Sequence, residues 1–443
     1  VFAQRQNFRE ITTPTFDDKY VWPNLWREAD EMLQSALLIY PFSKLRQMAH
    51  EGNLHSADNV LTLPITASCA LEAIEHNVDT LKEQMKDEKI EFCRSALKSM
   101  HERHEKSKED QSKIPKKYID SALNLLSMSS KTKKDKLEHN ASADSHLVAF
   151  GDENHENELV YAVGIDRFHK RVTVCFRGSV TRTDFITDAT IDMQATPNPL
   201  AGFPEQQGHV KIHRGFYVYL LGRPKVDSKR AVNRTYEMNK FEEILQHVIP
   251  LLNDNPGYKL YVTGHSLGGA LATLFSFEVA TYSEATIPLP ITCISVASPK
   301  VGDESFRKAF QLLEEQGRVR HLRIVNENDP VTLIPSSSVR KTLATISPAA
   351  LAVSLMKKSE HYQETYKHVG IKLKLFPVGK TPKFKISYAR GKWNQNVLSP
   401  LSVTSISNHY GDEYSSRMLA VQNDLEKLYI NDIYTTKHEK VLG

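Results

Sequence analysis

Between Asn24 and about Leu126 the apolar positions follow a helical period. Leu25, Ala29, Met32, Leu33, Ala36 and Leu37 recur at spacings of three and four, which places them on one face of an α-helix. A second helical segment is predicted from about Ala67 to Met100, polar on its far side. From His101 to Lys117, and again from Lys131 to Lys136, Lys and Glu crowd together with few apolar residues, which predicts a solvated linker or disordered loop. The mixed signs favour a solvated face over a phosphoinositide or membrane-surface site. No internal repeat interrupts this pattern.

After Ser145 the texture changes to strands alternating with helices. The runs 158–164 and 171–176 are β-branched and aromatic, and they read as strands joined around Asp166–His169. Phe241, Ile244, Leu245, Val248, Ile249 and Leu252 fall on one side of a predicted helix over 241–252. A short buried strand is predicted at 259–263, and 267–282 reads as a helix apolar on nearly every face. Further strands are predicted at 291–296 and 319–325. Strands and helices in the order βαβαβ imply an α/β fold, a mainly parallel central sheet flanked by helices. The expected organisation is an N-terminal helical region with a charged, partly disordered linker over 1–145, and an α/β domain over 146–443.

Composition narrows the class without naming it. Of 443 residues, 40% are hydrophobic and 25% charged, as in ordinary globular proteins. Lys plus Arg is 57 against 53 for Asp plus Glu, a formal net charge of +4, so there is no electrostatic case for nucleic acid as a partner. No apolar run reaches the roughly 18 residues a spanning helix needs. The longest near-apolar stretch, 346–356, is short and carries Pro348. The expectation is a soluble or peripheral protein; the chain begins at Val1 rather than Met, which leaves any targeting peptide and the compartment unread. Cys69, Cys93, Cys175 and Cys293 show no C-x-x-C pair and no His at ligand spacing, and Cys175 and Cys293 sit in β-branched runs as buried strand thiols. Neither a disulfide framework nor a metal site is expected. Asn140 and Asn233 fit the glycosylation acceptor triplet, a pattern too common to decide anything.

The chemistry lies between the 259–263 strand and the 267–282 helix. Gly264-His265-Ser266-Leu267-Gly268 is G-x-S-x-G, of which a chain of this composition holds about 0.06 by accident. A serine at a sharp strand-to-helix turn strains its backbone, and its neighbours two residues away pack too closely for a Cβ. The turn lifts the Ser266 hydroxyl above the sheet and leaves the Leu267 N–H at a helix N-terminus, aimed at developing negative charge. Such a serine needs a base and an acid behind it, in the chain order serine, acid, histidine. Asp329 follows the 319–325 strand, at the carboxyl end where open-sheet sites assemble, whereas Asp303 opens a helix and reads as its cap. Among the later histidines, His361, His368 and His409, the residues alone leave His368 and His409 equally placed.

The segments 174–179, 212–216, 262–270, 297–302, 326–331 and 367–370 together resemble the class 3 lipases, the fungal triacylglycerol lipases and related plant acyl hydrolases. The resemblance spans about residues 150–420 and does not clearly extend over the first 145. It implies an α/β-hydrolase fold with Ser266 as nucleophile, Asp329 as acid and His409, with Tyr414 close behind, as base. It leaves His368 structural, and it implies Ser179 as the first oxyanion donor beside Leu267. The implied activity is hydrolysis of acylglycerol esters through an acyl-enzyme, without metal or organic cofactor. A phospholipase A1 or galactolipase activity and a catalytically silent scaffold stand as the alternatives. The implied partner is a lipid ester, with peripheral contact to a membrane or lipid-droplet surface, and the oligomeric state is left open. Two segments depart from the family pattern. The lid position, 180–188, is less apolar than a lid built for oil droplets. Residues 349–356, followed by Lys357 and Lys358, read equally as a lipid-facing element or a packed helix.

Overall fold

The computed structural model describes residues 21–112, 146–152, 159–179, 192–223, 238–281, 286–335, 366–379, 383–388 and 407–435. The chain divides into two compact units, the larger comprising Val1–Tyr40, Gly151–Ala162 and Thr173–Gly443, the smaller Pro41–Phe150 and Val163–Val172. The first part of α1 (Leu25–His50), up to Tyr40, belongs with the larger unit.

In the smaller unit, β1 (Ile65–Thr66) leads into α2 (Ala67–His76), α3 (Val78–Gln84) and α4 (Asp87–Ser112), and β1 pairs antiparallel with β2 (His146–Gly151). The single helical segment expected over 67–100 is thus three helices. The first break falls at Asn77, whose side chain takes hydrogen bonds elsewhere: Nδ2 donates to the carbonyls of His55 and Ala73, and Oδ1 accepts the His55 N–H. The Thr66 hydroxyl caps α2 by accepting the Cys69 N–H. Leu45, Ile74, Leu81, Ile90 and Leu97 close the core of this unit. α4 stays helical to Ser112, through residues 101–112 that the charge pattern assigns to a linker; the rest of that stretch lies outside the described residues.

The larger unit is built on strands ordered β4-β7-β8-β9-β10-β11, namely β4 (Arg171–Phe176), β7 (Lys259–His265), β8 (Ile291–Val296), β9 (Val319–Asn326), β10 (Ile371–Leu375) and β11 (Phe384–Tyr388). The β7–β8, β8–β9 and β9–β10 pairs are parallel and β10–β11 is antiparallel, so the expected mainly parallel sheet is present. Every residue of β7, β8 and β9 is buried, as parallel strands covered on both faces require. β3 (Tyr161–Asp166) precedes β4 in the chain, and β5 (Met193–Pro197) pairs antiparallel with β6 (His209–His213) before α5 (Arg214–Leu221).

On one face, the predicted helical stripe Leu25, Ala29, Met32, Leu33 and Ala36 of α1 packs with Tyr261, Ile294, Leu322, Ile324 and Leu373, and with Tyr414 and Met418 of α9 (Gly411–Ala420). Rings of the other face, Phe176, Phe241 and Phe275, meet at centroid distances of 5.3–5.5 Å. These come from β4, α6 (Lys240–Asp254) and α7 (Leu267–Thr281). α6 starts where Asn239 and Glu242 cap each other reciprocally, and it buries the predicted face Phe241, Ile244, Leu245, Val248 and Leu252. α8 (Glu304–Glu315) begins at Asp303, whose carboxylate accepts the N–H groups of Ser305 and Phe306, the capping role expected of it. Cys175 and Cys293 are buried and free. No helix among the described residues is long and apolar enough to cross a membrane.

Candidate active site

Ser266 is the single residue between β7 and α7, and it holds a left-handed backbone, φ 59°. The turn is pinned on both sides: Ser266 N–H donates to the Val296 carbonyl at 2.9 Å, and the Ser266 carbonyl accepts from Gly269 N–H at 2.9 Å. The flanking glycines answer to sterics rather than to flexibility. A Cβ on Gly264 would lie 2.8 Å from the Phe176 carbonyl oxygen, and one on Gly268 2.9 Å from the Phe176 carbonyl carbon and 3.0 Å from that of Arg177. Backbone atoms this close cannot give way, so the spacing read from the sequence is a packing requirement. Leu267 opens α7, where the first N–H groups have no partner within the helix.

The partners arrive from two other segments. β9 ends at Asn326, and Asn328, at φ 64°, turns the chain so that Asp329 lies 1% exposed. Its Oδ1 accepts the Val331 N–H at 2.9 Å, and its Oδ2 faces His409 Nδ1 at 3.0 Å. His409 Nε2 stands 3.0 Å from Ser266 Oγ. An imidazole between a hydroxyl and a buried carboxylate has the geometry of a general base whose far nitrogen is oriented by an acid.

Backbone contacts hold the His409 loop. Asn326 Nδ2 donates to the Asn408 carbonyl at 2.9 Å, the Arg417 guanidinium donates to Asn408 Oδ1, and His265 Nε2 faces the His409 carbonyl at 3.0 Å. Tyr414 donates its phenol to Asp329 Oδ2 at 2.7 Å and accepts the Asn326 N–H at 3.0 Å. Burial and the adjacent carboxylate push the Tyr414 phenol well above its usual pKa, which keeps it protonated and a donor.

Of the residues singled out in the sequence, Ser266, His409 and Asp329 stand within hydrogen-bonding distance in series. Leu267 follows Ser266, and Ser179 follows Gly178, on which a Cβ would lie 3.2 Å from the Ser266 Cβ. His368 instead donates Nε2–H to the Thr332 carbonyl at 2.7 Å, held neutral by burial and by the cations of Arg323 and Lys300. His361, the lid position 180–188, the 349–356 segment, Asn140 and Asn233 lie outside the described residues. The sequence reading passed over His265, Asn326 and Tyr40. For His265 the signal lay inside the serine motif, whereas Tyr40 is one hydroxyl in a helical run.

The family model "Lipase (class 3)" matches residues 173–339. Similar curated proteins include galactolipase DONGLE, chloroplastic, of Arabidopsis thaliana, 32% identical over 39% of this chain and 36% of that protein. Phospholipase A1-Igamma2, chloroplastic, of the same plant is 28% identical over 58% of this chain and 45% of that protein. The chain therefore spans less than half the length of these relatives. Among solved structures, the native Rhizomucor miehei lipase propeptide complex aligns over 61% of this chain and 70% of its own, with TM-score 0.40 and 21% identity.

Proposed function

We propose that this chain, whose residues 173–339 match the class 3 lipase model and whose central sheet is mainly parallel, is a serine hydrolase of glycerolipid carboxylic esters on an α/β-hydrolase fold. The observation that carries the reading is the series Ser266 Oγ, His409, Asp329, with both links at 3.0 Å. His409 takes the Ser266 proton as the alkoxide attacks the ester carbonyl. The N–H of Leu267 and the N–H and hydroxyl of Ser179 receive the oxyanion, each donor worth roughly 10²–10³ in rate. Asp329 fixes the imidazole tautomer and stabilises the imidazolium. The intermediate collapses, His409 returns the proton to the departing alcohol, and water attacks the acyl-enzyme by the same relay. This acyl transfer calls for no metal or organic cofactor. An intact Ser266, His409 and Asp329 weighs against a silent scaffold.

The substrate class follows the relatives rather than the fold. Those relatives are named galactolipase and phospholipase A1, which supports an ester substrate with a polar headgroup, a galactolipid or phospholipid, over the neutral acylglycerol. The acylglycerol is the competing arm of the test. The protein meets such a lipid at a membrane or droplet surface. In this reading residues 146–443 form the hydrolase domain, with 1–145 an N-terminal helical region.

Fatty-acid release from galactolipid, phosphatidylcholine, diacylglycerol and triolein, measured in parallel for the wild type and Ser266→Ala, tests both levels. The expected result is fastest release from one of the polar lipids and none by Ser266→Ala. Retention of a tenth of the wild-type kcat by Ser266→Ala removes the serine mechanism; preference for triolein removes the polar-headgroup reading.

A further inference from the structure

A hydroxyl from α1 stands between the two halves of this machinery. Tyr40 Oη accepts the Gly178 N–H at 3.1 Å and lies 3.2 Å from His265 Nδ1, while His265 Nε2 lies 3.0 Å from the His409 carbonyl oxygen. All four residues belong to the larger unit. Gly178 immediately precedes Ser179, and His265 immediately precedes Ser266.

The proton inventory permits one arrangement. A carbonyl only accepts, so the His265 nitrogen facing His409 must carry the proton, and Nδ1 is left as the acceptor of a neutral ring. The phenol has one proton, and Nδ1 lies nearer than the alternative acceptor, the His265 carbonyl at 3.4 Å. Burial, together with neighbouring His409, lowers the His265 pKa to about 3, so the ring is uncharged and its tautomer is the remaining freedom. Burial pushes the Tyr40 phenol the other way, so it keeps its proton.

α1 itself is fastened on several sides near this point. Thr263 Oγ1 donates to the Met32 carbonyl at 3.1 Å, the Cys175 thiol reaches the Ser35 carbonyl at 3.4 Å, and a Cβ on Gly411 would lie 2.5 Å from Leu37 Cδ2. β4, β7 and α9 therefore fix the stretch that carries Tyr40.

We propose that Tyr40 is a positioning residue for the acyl transfer: one hydroxyl anchors the backbone of the Gly178–Ser179 oxyanion segment and, by selecting the Nε2–H tautomer of His265, anchors the backbone of the base His409. The role rests on the hydrolase reading above. It also extends the functional machinery into the N-terminal helical region, outside the segment that matches the family model. Without the hydroxyl, the Gly178 N–H loses its acceptor and His265 can carry its proton on Nδ1, which sets a lone pair against the His409 carbonyl. A shift of the base or of an oxyanion donor by a fraction of an ångström slows reaction at a bound ester without changing its binding.

Tyr40→Phe keeps the ring and removes the hydroxyl. Two readouts test it: the rate at which a fluorophosphonate modifies Ser266, alongside kcat and KM, and the His265 tautomer from imidazole 15N shifts, assigned by loss of the signal in His265→Gln. The expected outcome is roughly 10- to 100-fold slower phosphonylation and kcat, KM within about twofold, and a shift away from the Nε2–H tautomer. A variant reacting at the wild-type rate, beside a reactive wild type, overturns the positioning role and leaves the hydrolase reading standing. A wild type inert to the probe and to every lipid overturns that reading as well. Should Tyr40→Phe fail to fold, the wild-type spectrum decides: Nδ1–H in His265 overturns the proposal, and Nε2–H supports it.

Discussion

Tyr414 and His409 meet on one atom: the phenol donates to Asp329 Oδ2 at 2.7 Å, the oxygen that faces His409 Nδ1 at 3.0 Å. The same phenol oxygen accepts the Asn326 N–H, so Tyr414 spans both ends of the Asn326–Asp329 turn. Tyr414→Phe removes a donor to a buried carboxylate and strands a backbone N–H. The expected cost is about 1–3 kcal/mol of stability and roughly a tenfold fall in kcat, read from urea denaturation and initial rates. An unchanged denaturation midpoint contradicts this account of the acid.

Far from the site, Glu28 Oε1 accepts from Tyr261 at 2.5 Å and from Arg320 at 2.7 Å, with the Arg320 and Glu28 side chains 1% and 0% exposed. The guanidinium also lies 3.6 Å from the Trp22 ring centroid. Removing one member leaves the other charge buried alone. Glu28→Ala is therefore expected to cost about 3–5 kcal/mol, while activity per folded molecule is kept. Chemical denaturation with active-site titration separates the two effects.

Stability is expected to fall on acidification before most carboxylates titrate. His265, His321 and His368 are held neutral, chiefly by burial, with His265 lowered from 6.5 to about 3. Below 6.5 the unfolded chain binds protons that these folded rings refuse, so their contribution is intact above that pH. It is lost as pH falls, for His265 down to about 3, by a factor of about ten in the folding equilibrium per pH unit and histidine. Urea midpoints between about pH 5 and 7 should drop with pH, and His368→Gln should flatten the slope by one proton. An unchanged slope in that variant contradicts a neutral buried His368.

Gly268 offers a steric test. Its absent Cβ would press on the backbone of Phe176 and Arg177, so Gly268→Ala forces β4 and α7 apart. A loss of about 3 kcal/mol or more, or failure to fold, is expected by thermal melting. A stable, fully active variant removes the steric account of the motif.

How much of this was legible follows from how local each constraint is. The strained turn at Ser266 depends on residues two positions away, so its glycines announce it in sequence. Asp329 was readable because a parallel strand delivers its carboxyl end to the site. His409 was not separable from His368 by pattern, since only the folded chain shows one ring facing Ser266 and the other spent on the Thr332 carbonyl. The break after His76 depends on the bonds of Asn77 to His55, 22 positions away, that periodicity does not carry. Tyr40 is the extreme case: it reaches a ring 225 positions away, and nothing local marks it.

In the proposed mechanism Ser266, His409 and Asp329 act as one unit. Mass-spectrometric mapping of the fluorophosphonate adduct tests it most directly, on the wild type, His409→Ala and Asp329→Asn. The expected result is a single adduct on Ser266, formed at least about 10³-fold more slowly in both variants. An adduct on another residue, or modification of His409→Ala at the wild-type rate, contradicts it.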